Sequence, residues 1–109
     1  MDQTAIKREL STFISRSIKT MPIEQVILYG SFAKKNARLD SDIDLLVLGN
    51  FKENNITDPT SALYESYADL QTRHSMHVVG MNVEDYINRK DSITLESIRK
   101  TGKIIFPIE

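Results

Sequence analysis

The chain has 109 residues, with no cysteine, no tryptophan, four glycines and three prolines. Without cysteine there is no disulfide, no thiolate nucleophile and no cysteine-ligated zinc. No stretch approaches the roughly 20 consecutive apolar residues of a membrane-spanning helix. The opening MDQTAIKREL lacks the apolar core of a signal peptide, so a cytoplasmic location is expected. An excess of one charge is missing too. The 14 Lys and Arg against 15 Asp and Glu give a formal net charge of −1, which exerts no strong pull on nucleic acid or an anionic membrane. An aromatic content of 7% without interleaved basic residues does not resemble a single-strand nucleic-acid binder. What is present, 40% hydrophobic and 27% charged residues, is ordinary for a globular domain, and residues 1–109 are read as one. That length supports a core but leaves no room for a separate recognition domain.

Ile6, Leu10, Phe13, Ile14, Ile18 and Met21 recur at three- and four-residue spacing and predict an amphipathic helix over 3–20, with Asp2 as its N-cap and Pro22 as its stop. Lys7, Arg8, Arg16 and Lys19 fall on its solvated face. EQVILY, 24–29, reads as a short buried strand, and 43–48 as a second. A polar loop over 49–58 leads to Asp58-Pro59, an N-cap followed by proline at the first helical position, opening a helix expected to run to about Arg73 with Leu63, Tyr67 and Leu70 inward. MHVVGM, 76–81, is a third strand. Asn82 caps VEDYINR, Asp91 or Ser92 opens a further helix closed by Gly102, and KIIFPI is an edge strand, where Pro107 is tolerated. Strands and helices in this order predict an α/β (α+β) fold, a mixed sheet of about four strands flanked by helices.

The chemistry concentrates in residues 26–48, VILYGSFAKKNARLDSDIDLLVL. Asp42 and Asp44 alternate around Ile43, so in a strand they project from one face with Cα atoms roughly 7 Å apart. Two carboxylates so placed suit a hard cation such as Mg²⁺, which is commonly held by one or two carboxylates plus substrate phosphates. Gly30-Ser31 complements them: glycine lets a phosphate approach the backbone, and a serine opening a helical turn offers a hydroxyl beside N–H donors. An Asp-x-Asp alone fits a solvated turn as well as a metal site. Its meaning changes when Gly-Ser stands ten residues before it, between two apolar strands. For both groups to meet one ligand, neighbouring first and second strands must run antiparallel. The helix between the second and third strands implies a parallel pair, placing His77 at the edge of Asp42. Asp40 sits beside the acidic pair but outside its alternation and reads as a turn residue.

Gly30-Ser31, ten residues, then Asp42-Ile43-Asp44 resembles the GSX10DXD signature of the DNA polymerase β-like nucleotidyltransferase superfamily, and the surrounding wording is most similar to its minimal nucleotidyltransferases (MNT), often paired with HEPN toxins. The likeness is specific over 26–48 and fair in element order to about residue 106. The resemblance implies a nucleotidyltransferase fold, with Asp42 and Asp44 as catalytic Mg²⁺ ligands and Gly30, Ser31 and Arg38 binding the nucleotide. It further implies ATP as donor, and a HEPN partner's hydroxyl as acceptor in a toxin–antitoxin pair. Two positions depart from the pattern. Lys35 stands where many members carry glycine, which implies a different backbone or an added phosphate contact. His77 stands where a third carboxylate is usual; an imidazole there can serve as catalytic base, and a satisfied strand histidine fits equally. Asp69 or Asp85 could supply an acid from elsewhere, and His74 with His77 raises zinc without a clear third ligand. The missing acid also admits an alternative, a nucleotide-binding partner module with little or no transfer activity. Open sheet edges make a homodimer or heterocomplex an expectation in either case.

Overall fold

The computed structural model describes residues 6–38, 41–70, 72, 74–89 and 92–107. Helix α1 (Lys7–Thr20) leads into strands β1 (Ile23–Tyr29) and β2 (Ile43–Gly49). Helix α2 (Pro59–Tyr64), strand β3 (Met76–Asn82), helices α3 (Val83–Asn88) and α4 (Ile93–Thr101) and strand β4 (Lys103–Phe106) follow. The sheet order is β3-β2-β1-β4. β1 is antiparallel to β2 and to β4, whereas β2 and β3 are parallel. The mixed sheet, both strand directions at the centre and the edge position of β4 are those expected from the sequence.

The period of two along β2 divides the core. Ile43, Leu45 and Val47 join Val26, Leu28 and Val78 on one face, covered by Leu10 and Phe13 of α1 and Leu63 of α2. Leu46 and Leu48 turn the other way, and with Ile27 they pack beneath Leu95 and Ile98 of α4. Burying each of these large side chains contributes on the order of 1.5–3 kcal/mol. The acidic residues at the start of β2 inherit this alternation: Asp44 shares the face of Leu46, next to the area that α4 covers.

Three helix expectations are corrected. On α1 the inner line runs through Ile6, Leu10, Phe13 and Ser17, while Ile18 is 43% exposed. At about 100° per residue Ser17 lies roughly 20° from the direction of Ile6 and Ile18 roughly 120° away, so helical geometry overrides the polarity of Ser17. Its hydroxyl is satisfied by donating to the Ile14 carbonyl (3.3 Å). Helix α2 stops at Tyr64 rather than near residue 73, because the chain winds tighter. Ser66 N–H donates to Leu63 O, Tyr67 N–H to Tyr64 O and Leu70 N–H to Tyr67 O, all three-residue steps. Leu63, Tyr67 and Leu70 still face inward, with the Tyr67 ring edge-on to Phe13 at 5.8 Å. Asn82 precedes α3 without capping it; its Oδ1 accepts instead from Lys52 N–H (3.1 Å). Asp58 does cap α2, accepting from Ser61 N–H (3.2 Å), and Ser92 caps α4 through Leu95 N–H (3.2 Å). Asp2, Asp40, Arg73 and Asp91 lie outside the described residues.

Candidate active site

β1 ends at Tyr29 and the chain turns over Gly30, whose φ of 74° is one that L side chains rarely adopt. One helical turn follows. Lys34 N–H donates to Gly30 O (3.1 Å), Asn36 N–H to Ser31 O (3.0 Å) and Lys35 N–H to Phe32 O (3.4 Å). The last two bonds are nested, one spanning six residues and enclosing one spanning four, the closure that ordinarily places glycine in left-handed backbone. Here Lys35 occupies that position, at φ 62°. The backbone is therefore the one glycine would give, and lysine takes it. Phe32, fully buried, anchors the turn with its ring edge-on to His74 at 5.0 Å.

The approach to the acids is held from both sides. Arg38 N–H donates to Ser41 Oγ (2.7 Å) and Ser41 N–H to Arg38 O (3.0 Å), while Ile43 N–H donates to Ser75 O (2.8 Å). His74 Nδ1 lies 2.9 Å from Ser41 O. A carbonyl only accepts, so this contact requires the proton on Nδ1. Asp42 is thus carried between two pinned neighbours. Arg38 remains exposed on the loop that bears it.

Asp44 is the register partner of Tyr29 on β1 and of His77 on β3. A Cβ built on Gly30 would collide with its Oδ2, which places the carboxylate directly against the glycine backbone. The Asp44 side chain is 24% exposed, and its ion-pair partner is His77, with Nδ1 3.7 Å from Oδ1. Burial raises the Asp44 carboxyl above the ordinary range, the His77 ring offsets this in part and the charge of Asp42 adds to it. Burial and the Asp44 charge likewise raise the Tyr29 phenol. Among the described residues neither aspartate is ion-paired with lysine or arginine. Asp44, raised chiefly by burial and further by the charge of Asp42, and Asp42 beside it form an oxygen donor set that suits a divalent cation. Among the described residues no three His, Asp or Glu side chains are grouped for a metal, so such an ion would complete its shell with ligand oxygens. His74 is buried against Ser41 while His77 is exposed, which separates them as a zinc pair. Asp69 is paired with Arg16 and Asp85 with Lys52, and neither joins the site.

A cleft of about 290 Å³ opens beside the turn, between Tyr29, Gly30 and Lys34 and the face of α4 that carries Thr94, Ser97 and Thr101. Its size is at the lower end of small-molecule sites. Of the residues singled out in the sequence, Gly30, Asp42, Asp44 and His77 lie close together. The sequence reading missed the clamp from His74, the contact of Tyr29 and the cleft wall on α4. For the last a signal existed: Thr94, Ser97 and Thr101, at i, i+3 and i+7, make one polar row.

A family model described as Polymerase beta, Nucleotidyltransferase matches residues 12–108. Among solved structures, a toxin–antitoxin crystallised with AMP-PNP superposes with a TM-score of 0.52 at 15% identity, covering 94% of this chain and 73% of that one. A candidate nucleotidyltransferase from Sulfolobus solfataricus superposes with a TM-score of 0.51 at 21% identity, covering 82% of this chain and 83% of the other. At these identities the likeness is one of fold. A comparison with curated proteins finds no match. Among the described residues no helix is long and apolar enough to cross a membrane.

Proposed function

The chain belongs to the polymerase beta nucleotidyltransferase family, and from that premise we propose that it transfers AMP from ATP to a hydroxyl of a HEPN-type partner protein, as the antitoxin of a toxin–antitoxin pair. The observation that carries the transfer reading is the packing of Gly30 backbone against the Asp44 carboxylate, with Asp42 on the same face. A phosphate tail lying along Gly30-Ser31 is thereby brought to both acids. In this reading the nucleoside occupies the cleft against α4, and Lys34, which lines that cleft, offsets phosphate charge. Arg38 does the same from the loop before Asp42. The acceptor oxygen bonds to the α-phosphorus as the bond to the bridging oxygen breaks. Pyrophosphate departs with the electron pair, and the acceptor proton passes to His77. Magnesium held by Asp42 and Asp44 supplies Lewis-acid stabilisation of the phosphoryl charge. The protein acceptor and the HEPN partner rest on the wording of residues 26–48, and the toxin–antitoxin with AMP-PNP shares the fold.

One observation favours a second reading. The register partner of Asp44 is a histidine rather than an acid, so the carboxylates hold one cation well and a second poorly. A partner-binding module that keeps its nucleotide without transferring it is consistent with that. Incubation with ATP labelled at the α-phosphate, Mg²⁺ and a HEPN partner separates the two. Label on the partner, lost in Asp42→Ala and Asp44→Ala, supports transfer; bound nucleotide without label under Mg²⁺ or Mn²⁺ supports the module.

A further inference from the structure

At the far end of the parallel pair from Asp44 and His77 the molecule has a larger cavity, of about 520 Å³, which shares no lining residue with the cleft beside Gly30. It lies beyond the carboxyl ends of β2 and β3, where loops diverge and open α/β sheets commonly place ligands. Phe51, Ile56, Pro59 and Met81 form its apolar wall, and Lys52, Asn55, Thr57, Asn82 and Arg89 carry its polar side chains.

Asn82 is the informative residue. It is 8% exposed, and its Oδ1 accepts from Lys52 N–H, which fixes the orientation of the amide. The Nδ2 group then points away from that bond and donates to none of the described residues. Among the described residues no side-chain nitrogen or oxygen is both buried and unpartnered. Nδ2 is therefore accessible to solvent, and Asn82 is one of the residues that line the cavity. Its N–H donors are therefore available to a ligand's oxygens in place of water. Arg89 adds a guanidinium with no ion pair among the described residues, its carbonyl held by Arg99 (2.8 Å). The other cation on the wall, Lys52, is already neutralised by Asp85 at 3.0 Å.

One guanidinium without an ion pair among the described residues and one amide thus stand on a wall whose apolar part is Phe51, Ile56, Pro59 and Met81, with Asn55 and Thr57 also on it. We infer that this cavity is a second ligand site for a small apolar carboxylate, its oxygens between Asn82 Nδ2 and Arg89 and its body against Phe51, Ile56 and Met81. The volume lies within the range of small-molecule sites. The site does not depend on nucleotide transfer at the other end of the sheet.

Sodium phenylacetate serves as the probe, titrated into the ¹⁵N-labelled full chain and followed by two-dimensional NMR, with phenylacetamide and inorganic phosphate in parallel. The expected result is a saturable shift of the Asn82 side-chain NH₂ and the Ile56 and Gly80 amides with phenylacetate, and none with phenylacetamide. Arg89→Gln, at an exposed position, weakens the affinity at least about tenfold, the effect of removing a hydrogen bond to a charged group. Asn82→Asp keeps an acceptor for Lys52 N–H but replaces the donor with a negative oxygen, and abolishes the shift while the spectrum stays folded. The inference is overturned by no saturable shift, by equal response to phenylacetamide or phosphate, or by Arg89→Gln binding as tightly as the parent chain.

Discussion

Gly30 and Asp44 stand in contact so close that any side chain on the first would displace the carboxylate of the second. They come from different strands, and the antiparallel pairing of Tyr29 with Asp44 puts the turn after one strand beside the acid that opens the next. The halves proposed to bind phosphate and cation are therefore one packed unit. A change at either is felt at the other.

Gly30→Ala tests that unit. The substitution forces a Cβ into the space of Asp44 Oδ2 and puts a side chain at φ 74°, which alone costs about 1–2 kcal/mol. A lower denaturation midpoint together with loss of nucleotide transfer is expected. Transfer at the parental rate would show that Asp44 is not held against the turn in the working enzyme.

Asp44→Asn separates stability from activity. The native pKa of Asp44 is raised, chiefly by burial. The native state therefore keeps the proton to higher pH than the unfolded chain, and stability falls as pH rises from the unfolded value of about 3.9 through the native one. The resulting cost is present wherever Asp44 is ionised in the native state. Asparagine removes it, so without metal the variant melts higher than the parent at pH 7 and loses that advantage at acid pH. Transfer should drop by roughly 10³-fold, since several kcal/mol of phosphoryl charge stabilisation go with the carboxylate. Thermal melts at several pH values with EDTA, beside a labelled-ATP assay, give both readouts.

Lys35→Gly should stabilise. Lysine in left-handed backbone at φ 62° carries strain that glycine lacks, and the added freedom of the unfolded chain offsets part of the gain. A net rise of about 0.5–1 kcal/mol in urea unfolding is expected. No gain would mean that the Lys35 side chain makes a compensating contact. A weaker affinity for ATP in the same variant would identify that contact as one to phosphate.

His77 is the register partner of Asp44 on β3, and its 73% exposed side chain makes it replaceable without loss of fold. His77→Ala should lower transfer by about 10²- to 10⁴-fold if the imidazole takes the acceptor proton. His77→Asp puts a third carboxylate opposite Asp44, in the register that parallel pairing dictates. Transfer should recover relative to the alanine variant and depend more steeply on Mg²⁺. If alanine and aspartate leave the rate equal to that of the parent, the histidine takes no part in the chemistry.

The path from residues to site was open wherever a local period carried the information. A strand repeats every two residues, so Asp42 and Asp44 could be assigned to one face and Ile43 and Leu45 to the other before any coordinates. The antiparallel pairing of β1 and β2 followed from requiring Gly-Ser and Asp-x-Asp to meet a common ligand. The same local rules failed at Ile18, where helical geometry outranked polarity, and at Asn82, whose side chain turned from the expected cap to Lys52 N–H.

Other features arise between segments that are far apart in the chain. The 3.7 Å approach of His77 to Asp44 depends on a parallel register joining strands with a helix between them. The hold of His74 on Ser41 and the wall that α4 builds beside Gly30 likewise join positions more than thirty residues apart. A period can mark a face, as the polar row on α4 does, but which faces meet leaves no periodic trace, because it is set by how complete elements stack around a shared core. The chain therefore advertises which residues face the same way, and packing settles which of them touch.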